Sequence, residues 1–332
     1  MTRITSEIAI FFSEIRRFYK AFLEEIKSVN LSDKEKIKLK WDYISELLKH
    51  RFRFNEYYNQ YMFPKLTHRE RSEFISLSEM QHIYRKYGNP EIREIFRDKA
   101  KFLKIFRSYV KRQWMFWDGC TEDSKRKLEH MLSRFDCIVK PLDGTLGDGV
   151  KKINKDAIAD IDDFVRTNLS DGKYVVEECI TAHPEMAEFH PASLNSIRVV
   201  TFSNGIESEI FGAFLRMGNN NRCIDNAHGG GLFAQIDVDT GMIVCDGLDT
   251  NGNTYEIHPT SKKKIKGFVI PNWENVKKMC VDASLVLPKI RFAGWDVAVR
   301  ENGDIEFIEG NHAPDFDLMQ SPLKIGVRKK NI

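Results

Sequence analysis

The sequence predicts an α+β fold with a helical N-terminal region, on three observations. From about Thr5 to Arg112, apolar residues recur at helical spacing in a stretch whose first glycine is Gly88. From Asp136 onward the texture changes to short β-branched runs separated by Gly, Asn and Asp turns. Only two helical insertions, Lys155 to Asn168 and Trp273 to Leu287, interrupt those runs, so the strict βαβ alternation of a doubly wound sheet is missing.

In the helical part, Ile8, Phe11, Phe12, Ile15, Phe18 and Phe22 predict one broad apolar face packed on the protein itself. The strand runs are FDCIVKP, KYVVEECI, SIRVVTF, SEIFGAFLRMG, GLFAQIDV and WDVAV. The expected division is a helical region over 1–95, a lobe over 96–180 and a second lobe over 181–332, set around a cleft.

Composition narrows the classes. At 332 residues with 42% hydrophobic and 30% charged content, the chain can bury a sizeable core. The net charge is only +3, with signs interspersed, so neither nucleic acid nor an anionic membrane is implied as a partner. The six cysteines form no C-x-x-C pair, which argues against a zinc site or disulfide framework and fits a reducing cytoplasm. The apolar run from Ile8 to Phe12 is too short for a signal peptide or a membrane span.

The stretch from Gly294 to Asn311 is the most informative. Asn302-Gly303 predicts a two-residue hairpin turn. If Glu301 faces Asp304 across it, Asp296 falls opposite Glu309, and Asn311 shares their face. Like charges about 4.5 to 5.5 Å apart repel unless neutralised. Two carboxylates and an amide are hard oxygen ligands suited to magnesium beside substrate phosphates, so Asp296, Glu309 and Asn311 are the candidate metal set.

Upstream, a strand ending at Lys140 enters the loop Leu142-Asp-Gly-Thr-Leu-Gly-Asp-Gly-Val150. Gly144, Thr145, Gly147 and Gly149 could lay backbone N–H groups on phosphate oxygens, with the Lys140 ammonium beside them. The loop matches neither the P-loop nor the dinucleotide fingerprint. The strand ending in Glu177, Glu178, Cys179 and Ile180 could offer its edge to a purine, and Glu185 could reach a ribose hydroxyl.

This constellation, in order and spacing, resembles the ATP-grasp superfamily. More narrowly, His183-Pro-Glu-Met, Ser193 to Thr201, Phe211 to Gly218, Asp225-Asn-Ala-His-Gly-Gly-Gly231, Gly294-Trp-Asp296 and Ile308-Glu-Gly-Asn311 resemble the sugar-transfer-associated ATP-grasp family, from about Phe96 to Gln320. The resemblance implies an ATP-grasp fold, two α+β lobes clasping ATP and magnesium, with Lys99 and Lys140 as the two phosphate lysines. It implies that Arg198, Arg216 and the segment holding Asn226 and His228 line the phosphate and acceptor side. It also implies a polysaccharide or capsule biosynthesis setting and association with glycan-assembly enzymes.

Three functions are compatible with that site. The leading expectation is a carboxylate–amine ligase that makes an acyl phosphate, with a sugar carboxylate such as a uronic acid and an amino acid or small amine as substrates. A phosphotransferase would deliver phosphate to a hydroxyl instead. A non-catalytic nucleotide-binding partner should have lost a metal ligand or lysine, and this chain has lost none.

Overall fold

The computed structural model describes residues 2–119, 121–142, 149–169, 172–219, 225, 230–314 and 316–328. The helices are α1 (Thr2–Glu25), α2 (Asp33–His50), α3 (His68–Arg71), α4 (Leu77–Tyr87), α5 (Pro90–Arg97), α6 (Lys99–Ile105), α7 (Glu122–Leu132), α8 (Ile161–Asn168), α9 (Pro184–Ala187), α10 (Trp273–Ser284) and α11 (Asp317–Gln320). The strands are β1 (Trp114–Trp117), β2 (Cys137–Pro141), β3 (Lys151–Ile153), β4 (Tyr174–Glu178), β5 (Ile197–Ser203), β6 (Ser208–Met217), β7 (Leu232–Ile236), β8 (Gly247–Leu248), β9 (Thr254–Tyr255), β10 (Phe292–Val299) and β11 (Ile305–Asn311). They form two compact units, Met1–Tyr87 with Asp315–Ile332, and Gly88–Pro314.

The first unit is helical. Ser32 and Glu35 close a capping box at the start of α2, and α1 and α2 meet through Phe22 and Tyr43, whose rings lie 4.7 Å apart. Phe18 and Phe22 are buried as the α1 periodicity predicts, whereas Phe12 is 65% exposed. Successive helical residues turn by about 100°, so Phe11 and Phe12 cannot both face one core. The Ile8 side chain lies outside the described part. Residues near the C-terminus return to this unit. There Gln320 is fully buried, accepting the Ile75 N–H at 2.8 Å and donating to the Ile75 carbonyl at 2.9 Å. Among the described residues, no helix is long and apolar enough to cross a membrane.

The second unit holds two antiparallel sheets, one ordered β1-β4-β2-β3 and the other β11-β10-β5-β6-β7-β8-β9. The α+β expectation therefore holds. In the first sheet, Met115, Trp117, Cys137, Val139 and Val176 pack with Leu128 and Leu132 of α7 and Phe164 of α8. In the second, side chains alternate between two faces. One face carries Ile197, Val199, Ala213, Leu215, Trp295, Val297 and Phe307, packed with Val276, Met279 and Cys280 of α10 in the main core. Burial of each large side chain stabilises this packing by about 1.5 to 3 kcal/mol. Trp295 satisfies its indole N–H on the Thr201 hydroxyl at 2.9 Å, which ties β10 to β5 from within that core.

The opposite face of the same rows is polar. Pairing of Asp296 with Arg198, and of Arg198 with Phe214, places Asp296, Arg198 and Arg216 on one side. On that side a Cβ at Gly294 would stand 3.1 Å from Pro314 Cβ and 3.2 Å from Arg198 Cδ, so the missing side chain leaves room for both.

Candidate functional site

The hairpin register differs from a count across a two-residue turn. Arg300 donates its N–H to the Asp304 carbonyl at 2.7 Å and Gly303 donates to the Arg300 carbonyl at 2.9 Å, which makes a three-residue connection. Gly303 there takes φ 82°, the left-handed conformation such loops require. That connection alone would shift every facing pair by one. Val297 indeed opposes Phe307, but a bulge follows and Asp296 opposes Glu309, with Gly294 opposing Asn311. The extra residue at Ile308 returns Glu309 and Asn311 to the polar face.

Asp296 is fully buried and bound by two arginines. Arg198 clasps it through Nε and, at 2.9 Å, Nη2, and Arg216 Nη2 adds a third contact at 2.8 Å. Burial alone would raise its pKa, but Arg198 and then Arg216 outweigh that cost and hold it at about 2. Glu309 goes the other way, since burial and then the Asp296 charge raise its pKa. Arg216 is steadied by the Ser196 hydroxyl at 2.8 Å, and the Ser196 N–H is held by Asp225 at 2.5 Å. Among the described residues, two buried polar atoms on this face have no partner, Asn311 Nδ2 and Gln235 Oε1. Among the described residues, no three His, Cys, Asp or Glu side chains converge, so the candidate set remains two carboxylates and an amide.

A second buried cluster joins the two sheets. Lys140 Nζ at the end of β2 reaches Glu177 Oε2 of β4 at 2.5 Å. Glu177 Oε1 accepts from Arg112 Nη2 at 2.8 Å. Arg112 also donates to Glu306 Oε2 at 3.0 Å and to the carbonyls of Phe307 and Ile308, at 2.6 and 3.1 Å. Arg300 then links Glu306 at 2.6 Å to Glu178 at 2.9 Å. Burial would raise the Glu177 pKa, but Arg112 and Lys140 hold it at about 2.

Around these clusters, the other candidates take the following positions. Lys99 Nζ donates to the carbonyls of Pro141 and Leu142 at 2.9 and 3.2 Å, at the root of the glycine loop. Gly149 closes that loop at φ +69°, where a Cβ would stand 2.7 Å from the Pro141 ring, so glycine is required twice over. The rest of that loop, with Gly144, Thr145 and Gly147, lies outside the described residues, as do Asn226 and His228. Strand β4 sits between β1 and β2, so the backbone of Glu177 and Glu178 faces other strands rather than an open edge. Only past its end does the chain leave the sheet, and there the Cys179 N–H donates to the Asp136 carbonyl at 2.7 Å. Ile180 follows, half-buried, and Glu185 is exposed in α9.

Sequence reasoning missed Arg112, Ser196, Asp225 and Gln235 as members of these clusters. Arg112 ends the helical stretch among other basic residues and carries no local signal. Asp225 lies inside a quoted motif, and its place against Ser196 depends on the return of a later segment.

A sequence model of the sugar-transfer associated ATP-grasp family matches residues 79–332, most of the chain. The chain belongs to that family. The match covers every candidate residue and both sheets of the ATP-grasp unit.

No curated protein matches the sequence. Solved structures of ATP-grasp ligases resemble the chain at low identity. The ATP-grasp ligase PsnB complexed with minimal precursor is 15% identical with a TM-score of 0.42, over 69% of this chain and 56% of that one. The VanG D-Ala:D-Ser ligase from Enterococcus faecalis is 12% identical with a TM-score of 0.42, over 71% and 60%. D-alanyl-alanine synthetase A from Vibrio cholerae O1 is 10% identical with a TM-score of 0.41, over 66% and 56%. The chain thus spans less than two thirds of the length of each of these three structures.

Proposed function

We propose that this ATP-grasp chain is an ATP- and magnesium-dependent carboxylate–amine ligase. Its acceptor would be a sugar carboxylate such as a uronic acid, joined to an amino acid or small amine in surface polysaccharide synthesis. The observation that carries the reading is the polar face of the second sheet, where Asp296, Glu309, Asn311, Arg198 and Arg216 meet on three adjacent strands and the strand beyond. The family description, sugar-transfer associated ATP-grasp, supports a sugar-related setting and no more.

The donor set fits a hard divalent cation. Glu309 and Asp296 crowd two carboxyl groups together, and the Asn311 amide has a buried, unpartnered edge. Turning that amide over would present its oxygen. Asp296 is shared with the two arginines, so Glu309 and Asn311 would supply the freer ligands. When bound, magnesium would offset the carboxylate repulsion and neutralise phosphate charge.

The chain's own groups supply position and charge. Lys140, anchored by Glu177, would lie along the phosphates, and Lys99 would join it by leaving the two carbonyls it now binds. Arg198 and Arg216 would orient the acceptor carboxylate, as planar guanidiniums do. An acceptor carboxylate oxygen attacks the γ-phosphorus, the bond from that phosphorus to the β,γ-bridging oxygen breaks, and ADP leaves with the electron pair. The amine nitrogen then attacks the acyl carbon, the bond to phosphate breaks, and the amine proton passes to solvent. Nothing in this sequence needs a Ser, Cys or His nucleophile.

The test is mass spectrometry of acceptors after incubation with Mg-ATP, pooled amino acids and uronic-acid oligosaccharides, with ADP release followed in parallel. A dehydrative adduct with ADP formed is the expected result. A phosphate adduct would replace the ligase by a phosphotransferase, and ATP binding without turnover would reduce the chain to a binding module.

A further inference from the structure

Helix α5 and the residue after it carry acids that are all committed, and α5 carries arginines that have no partner among the described residues. Glu91 pairs with Lys289 at 2.6 Å, Glu94 pairs with Lys101, and Asp98 caps α6 by accepting the Lys101 N–H at 3.0 Å. Arg93 and Arg97 stand one turn apart and exposed. Neither has a hydrogen bond or ion pair among the described residues. Like charges at this spacing repel by roughly 0.2 to 0.5 kcal/mol, and no contact among the described residues offsets the cost.

Packing fixes where these arginines point. Ile92, Ile95 and Phe96 join the main core under the second sheet. Gly310 in β11 lets the Phe96 and Phe102 rings come so close that a Cβ there would collide with both. α5 is thereby held against the strand that carries Glu309 and Asn311. Beside the arginines lies a cavity of about 350 Å³, lined by Pro90, Arg93, Glu94, Arg97, Asp98 and Leu142. Leu142 is the residue whose carbonyl receives Lys99.

We propose that Arg93 and Arg97 form an anion subsite in this cavity, which holds a carboxylate or phosphate of the second substrate remote from the reacting carboxyl group. Guanidiniums suit such oxyanions because they bind them bidentately. The triphosphate already has the lysines and the metal set, so a further unmatched pair suits a second anion. The subsite rests on the proposed ATP-dependent reading for its use and selects an acceptor that carries more than one negative charge.

Calorimetric titration of the intact protein with trigalacturonate, and with neutral maltotriose, tests this directly. Wild type should bind the trianion with salt-sensitive affinity and ignore maltotriose, and Arg93→Gln/Arg97→Gln should bind the trianion about tenfold or more weakly. Mg-ATP affinity should be the same in both proteins. Absence of saturable trianion binding to wild type, equal binding by the variant, or parallel loss of ATP binding would each overturn the subsite. Trianion binding as expected in a protein that never binds ATP would leave the subsite standing and remove the ligase reading.

Discussion

Two buried polar clusters in the same unit differ in one respect, completeness. Around Arg112 each charge has an opposite charge in contact, and the guanidinium also takes two backbone carbonyls. Around Asp296 the arginines are matched, but Glu309 is strained by burial and then by a like charge, and the Asn311 amide nitrogen is buried without a partner among the described residues. Buried polar groups are nearly always paired in a finished structure. A complete network therefore reads as scaffold, and an incomplete one beside it reads as the place where something else binds.

The largest expected effect breaks the complete cluster. Arg112→Met leaves Glu177 and Glu306 each short of a cation and two carbonyls short of a donor, which should cost about 3 to 5 kcal/mol of stability. Urea unfolding measures it. A loss below about 1 kcal/mol would show that Lys140 and Arg300 suffice, and the distinction between the clusters would weaken.

Glu56 in the helical unit offers a third state of completeness, a buried carboxyl held only by backbone N–H groups. Arg53 and Leu77 donate to it, each at 2.8 Å, yet burial raises its pKa to about 7. Backbone donors alone do not keep it ionised as Arg112 keeps Glu177. The folded state thus binds this proton more tightly than the unfolded chain, so stability is full below the unfolded value of 4.5 and falls as pH rises toward 7. The loss should reach about 3 kcal/mol above that range, and Glu56→Gln should flatten it. Denaturant midpoints at several pH values decide it, and an unchanged slope in the variant would clear Glu56.

The two clusters were unequally legible in the sequence for a physical reason. Asp296, Glu309 and Asn311 lie on one hairpin, where period-two alternation and a turn signal place side chains locally. Even so, the facing pair was reached through a two-residue turn that is absent, and the three-residue connection and the Ile308 bulge cancel. Arg112 joins residues some 65 and 194 positions away, which no local pattern reports. The same holds for Gln320, whose return to Ile75 spans 245 positions. The four-residue β1 was also silent although the turn pair Asp118-Gly119 follows it, since Trp114–Trp117 is a short, uniformly apolar run without polar alternation.

The smallest expected change in stability falls at the incomplete cluster. Glu309→Gln keeps the shape, removes the repulsion with Asp296 and leaves Arg198 and Arg216 on their partner, so unfolding free energy should stay within about 1 kcal/mol of wild type. Turnover should fall by about 100-fold or more, because the freer carboxylate of the metal set is gone. Unfolding and ADP release are measured on the same preparation. A variant that loses several kcal/mol would make Glu309 another scaffold carboxylate like Glu177. One that is as stable and as active as wild type would remove the metal set from the site and leave the unpartnered Asn311 amide without an occupant.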